Sequence, residues 1–209
     1  VDGIYLDSMS AMETLDYNPA ALAVADHPCT FVLADLKPGL ATPIQAVEFT
    51  AALAGYLRSR DKYLMGNFPC WRFPFFMPYL DIPGEETTWY TGKQYTPLSE
   101  RERNYRRAMS GAKPFGFLQA THFSDLSSAD MEKYFRDCLA LGLLPSFFSH
   151  DGANDPYWVD AKLYERDRPL FRRYLPLTIR LSAAGWQPVP AVSFSAPGVQ
   201  VEQFGSLDS

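Results

Sequence analysis

Cysteine and histidine are scarce in this 209-residue chain, with three of each. Cys29, Cys70 and Cys138 stand far apart and no CxxC pair occurs. That argues against a zinc site or a disulfide framework, and leaves three thiols that pack as small hydrophobes. No apolar run approaches the ~20 residues of a membrane-spanning helix. A secretory leader pattern is missing as well, but the first residue is Val rather than Met, so no compartment is assigned. Charge of one sign is in short supply: the net charge is −5, without the basic stripe that nucleic acid or an anionic membrane would require. Internal repeats and low-complexity tracts are lacking.

What is present is apolar material. The chain is 47% hydrophobic and 15% aromatic, enough for a sizeable core. Short β-prone runs alternate with helical patterns. Ile4-Tyr5-Leu6 reads as a strand. Phe31-Val32-Leu33 is a second β-prone run that decorates a loop, ended by turn chemistry at Asp35 to Gly39. Thr42 caps a helix with Pro43 in its first turn, and Val47, Ala51, Ala54 and Leu57 keep helical spacing to about Arg60.

Tyr63 to Asn67 is the next strand. Phe68 to Pro78 is aromatic, Pro-rich and irregular. Tyr79-Leu80-Asp81-Ile82 reads as a strand leading into a Pro83-Gly84 turn. Ser99 caps a helix from Glu100 to about Ser110, with Glu102 in the capping-box position. Phe115 to Gln119 is a strand. A helix capped by Ser128 runs from Ala129 to Leu141 and stops at Gly142. Leu143 to Phe148 is the last strand of the series. A final helix spans Tyr164 to Ala184, kinked or broken at Pro169 and Pro176. The tail from Trp186 reads as a β-hairpin or the start of a β-domain.

Apolar strands separated by helices imply a parallel sheet. Five such strands would make the second half of an eight-stranded TIM barrel. The expected division is barrel for residues 1–185 and a β segment for 186–209. A strand buried on both faces cannot stand first in a stable domain alone, so the reading calls for a missing N-terminal barrel half or a partner chain.

In a parallel barrel the C-terminal strand tips converge on one mouth. Asp7 and Asn67 follow the first two core strands. Asp81, Glu85 and Glu86 follow the third, Gln119 and His122 the fourth, and Ser149, His150 and Asp151 the fifth. Two carboxylates across such a mouth are the equipment for cleaving a glycosidic bond. The acid must keep its proton near neutral pH, and adjacent carboxylates at 81, 85 and 86 could raise one another's pKa. Trp71 and Trp89 lie among the loop aromatics, where sugar rings could stack. His122 and His150 could donate to sugar hydroxyls. They lack the close spacing of metal ligands, so neither metal nor cofactor is expected.

Asp2-Gly3-Ile4-Tyr5-Leu6-Asp7 resembles the fourth barrel strand of retaining glycoside hydrolases of the α-galactosidase/α-glucosidase-like type. The later segments Lys62–Asn67, Asp81-x-x-Gly84-x-Glu86, Gly142–Phe148, Tyr164–Phe171 and Ala184–Val189 look like the C-terminal barrel half of large microbial glycosidase-like proteins. The resemblance implies a TIM barrel supplying about strands 4 to 8, a carbohydrate substrate and Asp7 as nucleophile. It places the acid/base at Asp81, Glu85 or Glu86, with Asp81 and Glu86 favoured. Asn67, Trp71, Glu85, Trp89, His122 and His150 are the candidate substrate contacts. The alternative is a non-catalytic carbohydrate-binding or scaffold fragment.

Overall fold

The computed structural model describes residues 2–9, 14–31, 35–67, 73–91, 94–148, 157–187 and 201–206. It falls into two compact units, Val1–Leu80 and Asp81–Ser209. Both are built on parallel strands joined through helices.

The first unit opens with β1 (Gly3–Leu6) and closes its core with β5 (Tyr63–Asn67). The two strands pair in parallel, Gly3 opposite Tyr63 and Leu6 opposite Gly66. A parallel pair needs a long crossover, supplied here by α2 (Thr42–Arg58). That helix buries Thr50, Ala54 and Leu57. Its N-cap is Ala41, one residue before the expected Thr42, because Ala41 is still extended as the last residue of a strand.

Between β1 and α2 sit three short elements of an antiparallel sheet, β2 (Leu15–Asp16), β3 (Thr30–Phe31) and β4 (Pro38–Ala41), with helix α1 (Pro19–Val24). β4 pairs with both neighbours. This is the expected loop decoration, but Pro38 and Gly39 pair in β4 instead of forming a turn. After β5 a 3-10 turn covers Pro74–Tyr79, tied to α2 by Arg58, whose guanidinium donates to the Tyr79 carbonyl at 2.9 Å.

The second unit carries three parallel strands, β6 (Ile82–Thr87), β9 (Phe115–Gln119) and β10 (Leu143–Phe147). β9 pairs with both others, Gly84 and Leu144 each opposite Gly116. The third core strand is shifted from its expected position. Tyr79 belongs to the 3-10 turn and Asp81 lies ahead of the strand, while Pro83-Gly84-Glu85-Glu86 is its middle. Pro-Gly is a strong turn signal taken alone. Pairing with β9 overrides it, with two glycines meeting across the ladder.

The small hairpin β7 (Tyr90–Thr91) and β8 (Gln94–Tyr95) follows β6. Helix α3 (Glu100–Met109) then starts at the expected capping box: the Ser99 hydroxyl accepts from the Glu102 amide, and the Glu102 carboxylate accepts from the Ser99 amide. Helix α4 (Ser128–Leu141) is capped by Ser127 rather than Ser128 and ends on Gly142 at φ 65°, in the left-handed region that favours glycine.

Helix α5 (Ala161–Ala184) runs through both prolines as one 24-residue element. Pro169 and Pro176 are exposed, away from the face that packs on α4, where a missing amide donor is best tolerated. At that face Asp167 is fully buried. It accepts from the Tyr157 hydroxyl at 3.1 Å and from two nitrogens of Arg166 at 2.8 Å. Arg166 also donates to the carbonyls of Phe123 and Leu126, which pins the loop after β9. In the tail, β11 (Trp186–Gln187) pairs antiparallel with β12 (Gln203–Phe204).

Among the described residues no helix is long and apolar enough to cross a membrane.

Candidate active site

The register of β1 on β5 brings two strand tips side by side. Leu6 lies opposite Gly66, so the next residues, Asp7 and Asn67, are neighbours. The Asn67 amide donates to Asp7 Oδ1 at 2.8 Å, and the Tyr5 hydroxyl donates to the same oxygen at 3.0 Å. The Ser8 hydroxyl donates to Oδ2 at 3.0 Å. Tyr5 reaches Asp7 because residues two apart in a strand share a face.

The chain leaves β1 through a tight bend. Ser8 has φ 52°, a left-handed conformation uncommon for a residue with a side chain. The bend turns Met9 inward, where it is buried and its amide donates to the Asn67 carbonyl at 3.1 Å. A Cβ on Gly66 would stand 2.6 Å from the Met9 sulfur and 2.7 Å from a Leu80 methyl carbon. Glycine at 66 therefore lets Met9 plug the strand end beneath the carboxylate.

Electrostatics follow from these contacts. The hydrogen bond from Asn67 is the main cause holding the Asp7 pKa below its ordinary value; Ser8 and Tyr5 add to it and partial burial opposes it. Asp7 is exposed while Asn67 beneath it is buried. The result is an ionised, oriented, solvent-reachable carboxylate at the C-terminal end of a parallel strand. Such a group can attack an electrophile or accept a proton; it is poorly suited to donate one.

The second unit separates its three carboxylates. Asp81 is half-buried at the N-terminal start of β6. Glu85 is buried and ion-paired with buried Arg106 of α3, whose Nε and Nη2 both donate to it, the latter at 2.8 Å. Glu86, one residue on, is exposed and points to the opposite face of the strand. The three do not form a mutually repelling cluster.

Trp89 is buried against Phe117 and Tyr134, not displayed as a stacking platform. Its backbone amide donates to the Gln119 side-chain oxygen at 2.8 Å. The Trp89 indole N–H and the Gln119 amide nitrogen are buried without an acceptor among the described residues. Both residues line a pocket of ≈ 10 Å³, room for about one water but not for a sugar ring. His122 is exposed at the start of the 3-10 turn Phe123–Asp125. Trp71, Ser149, His150 and Asp151 lie outside the described residues. Among the described residues, no group of three or more His, Cys, Asp or Glu side chains could hold a metal ion.

Asp7 and Asn67 stand out in the sequence separately, whereas Tyr5 and Ser8 do not stand out as partners of Asp7. Strand alternation could have flagged Tyr5. Nothing in the sequence signals that Arg106 neutralises Glu85, because the two are 21 positions apart on different elements.

No protein-family model, curated protein or solved structure matches the chain.

Proposed function

We propose that this protein is a retaining glycoside hydrolase in which Asp7 is the nucleophile, and that its parallel strands are about strands 4 to 8 of a TIM barrel. The observation that carries the reading is the Asp7–Asn67 pair: an ionised carboxylate, aimed by an amide from the neighbouring strand tip. In this reading Asp7 attacks the anomeric carbon as the glycosidic C–O bond breaks, and Asn67, Tyr5 and Ser8 hold the carboxylate in the attacking orientation. Asn67 is then a positioning residue rather than a substrate contact.

Glu86 is the better of the two acid/base candidates. It protonates the leaving oxygen, then removes a proton from the water that releases the sugar. Five residues of strand separate Asp81 from Glu86, about 17 Å at ~3.3 Å each, so Asp81 lies toward the wrong end of its strand. Glu85 is committed to Arg106.

The barrel reading draws support from the second unit. Phe117 and Phe147 point toward helix α4 through Trp89, Tyr134 and Phe135, and Glu85 points toward α3. Glu86 and Leu118, in register with each other, occupy the other face. Among the described residues the helices named here lie on one face and Glu86 on the other, which is how the outer ring and the lumen of a barrel divide.

The test uses a panel of aryl α- and β-glycosides. Asp7→Gly should abolish turnover, and added azide should restore it with formation of a glycosyl azide. A 2-deoxy-2-fluoro glycosyl fluoride of a turned-over sugar should label the peptide containing Asp7. Unchanged hydrolysis by Asp7→Asn would overturn the assignment. Sugar binding without hydrolysis of any substrate in the panel would select the non-catalytic carbohydrate-binding alternative.

A further inference from the structure

Two hydrogen-bond donors are left over in the small pocket at the tip of β9. Gln119, the last residue of that strand, is 3% exposed, and its side-chain oxygen accepts from the Trp89 amide at 2.8 Å. That bond fixes which way the Gln119 side-chain amide is turned. A flipped amide would set its nitrogen against the Trp89 N–H, donor against donor. The Gln119 nitrogen is therefore a donor in need of an acceptor. Trp89 is 1% exposed, and its indole nitrogen can only donate. Neither nitrogen has an acceptor among the described residues, and both residues line the pocket of ≈ 10 Å³. Buried donors left this way are rare, because each has given up its hydrogen bonds to solvent for nothing in return.

The rest of the lining is aromatic, aliphatic or hydroxyl-bearing, with no Lys, Arg or His. An anion there would be buried without a counter-charge, which is costly. The acceptor is therefore neutral, and the volume limits it to about one water-sized molecule. Two wall oxygens can take hydrogen bonds from it. The Tyr95 hydroxyl donates its proton to Asp137 Oδ2 at 2.7 Å and keeps lone pairs for a second partner. The Thr121 hydroxyl can give or take a hydrogen bond. The Tyr134 hydroxyl is already engaged, accepting from the Ser146 amide at 2.8 Å and donating to the Ser146 carbonyl at 3.0 Å.

From this we propose that the pocket is a binding site for one long-lived water molecule, which accepts from Trp89 Nε1 and Gln119 Nε2 and donates to the Tyr95 and Thr121 oxygens. The water completes a junction of strand ends. The Gln119 carbonyl accepts from the Phe148 amide, just past β10, at 3.1 Å, and the Ala120 amide donates to the Thr87 carbonyl at the end of β6 at 2.7 Å. The Gln119 side chain adds the Trp89 amide to this junction. An acceptor at its nitrogen holds that side chain in the orientation that serves Trp89. Glu86 precedes Trp89 by three residues, so under the hydrolase reading the water steadies the strand end that carries the acid/base. The hydration site itself does not rest on that reading.

Water-selective NMR and crystallography of the unsubstituted full-length protein test this. The Trp89 indole proton, assigned through its contacts with the Phe117 and Tyr134 rings, should show a cross-relaxation peak to water, with the sign that separates a bound molecule from proton exchange. A high-resolution crystal structure should place one density peak within hydrogen-bond distance of both nitrogens. Crystals pressurised with xenon should show none in the pocket, because xenon enters dry apolar cavities and not a polar hydrated one. Xenon at that position, or the absence of the water cross-peak, marks a dry cavity and overturns the proposal. An anomalous bromide peak after a bromide soak, or an indole proton shift that titrates with chloride, marks an anion site and overturns it too. None of these readouts measures hydrolysis or involves Asp7, so failure of the catalytic reading and failure of this one are distinguishable.

Discussion

The Glu85–Arg106 pair decides whether Glu85 belongs to chemistry or to folding. Both side chains are nearly inaccessible, 6% and 3% exposed. Arg106 is held further by its Nη1 donating to the Glu102 carbonyl at 3.1 Å. Removing one partner strands an uncompensated charge in the interior, at a cost of about 3–5 kcal/mol. Glu85→Gln keeps the shape and an acceptor oxygen but leaves Arg106 charged; Arg106→Met leaves Glu85 without its cation. Each should lower Tm by roughly 6–20 °C at the scale of a protein this size. The double change Glu85→Leu with Arg106→Met removes both charges and should recover most of the loss. Thermal unfolding of the four proteins in a double-mutant cycle reads the coupling. A single-variant loss below about 1 kcal/mol, or a double variant no better than the worse single one, would refute the buried pair. A Glu85→Gln variant with unchanged Tm but altered substrate affinity would return Glu85 to the binding site.

Asn67→Ala should raise the pKa of Asp7 toward its ordinary value, followed by carboxyl-carbon NMR titration. Because the folded pKa lies below the unfolded one, the Asp7 network stabilises the protein above the ordinary carboxylate value, and that contribution fades as pH falls through the lowered pKa. Gly142→Ala should cost about 1–2 kcal/mol for the left-handed φ alone. It should cost more because the new Cβ would collide with the Phe204 ring, and urea unfolding measures the sum. Ser99→Ala, by removing the capping box of α3, should cost about 1 kcal/mol in the same assay. Cys29 is exposed and should react with an aromatic disulfide reagent in the native protein. Cys138 is fully buried, its pKa pushed well up by burial, and should react only on unfolding.

Local signals in the sequence were dependable where the physics is local. The capping box at Ser99, the glycine stop at 142 and the strand–helix alternation each depend on residues within a few positions of one another. Signals that compete with pairing were not dependable. Pro83-Gly84 and Pro38-Gly39 carry turn chemistry, yet both sit inside strands because a partner strand supplies the ladder. That shift moved Asp81 from a strand's end to its beginning, and with it the choice of acid.

A parallel α/β chain with an acidic residue at the tip of its first strand is legible residue by residue, because periodicity and capping are written in neighbouring positions. What those carboxylates are depends on contacts between elements distant in the chain. Asp7 becomes an ionised, oriented group because the β1–β5 register sets Asn67 beside it, 60 positions away in the chain. Glu85 becomes a structural ion because α3 folds Arg106 over it, and Glu86 is left exposed because successive strand residues point to opposite faces. Register and helix packing are long-range facts, and the same three acids would read alike in any order of strands.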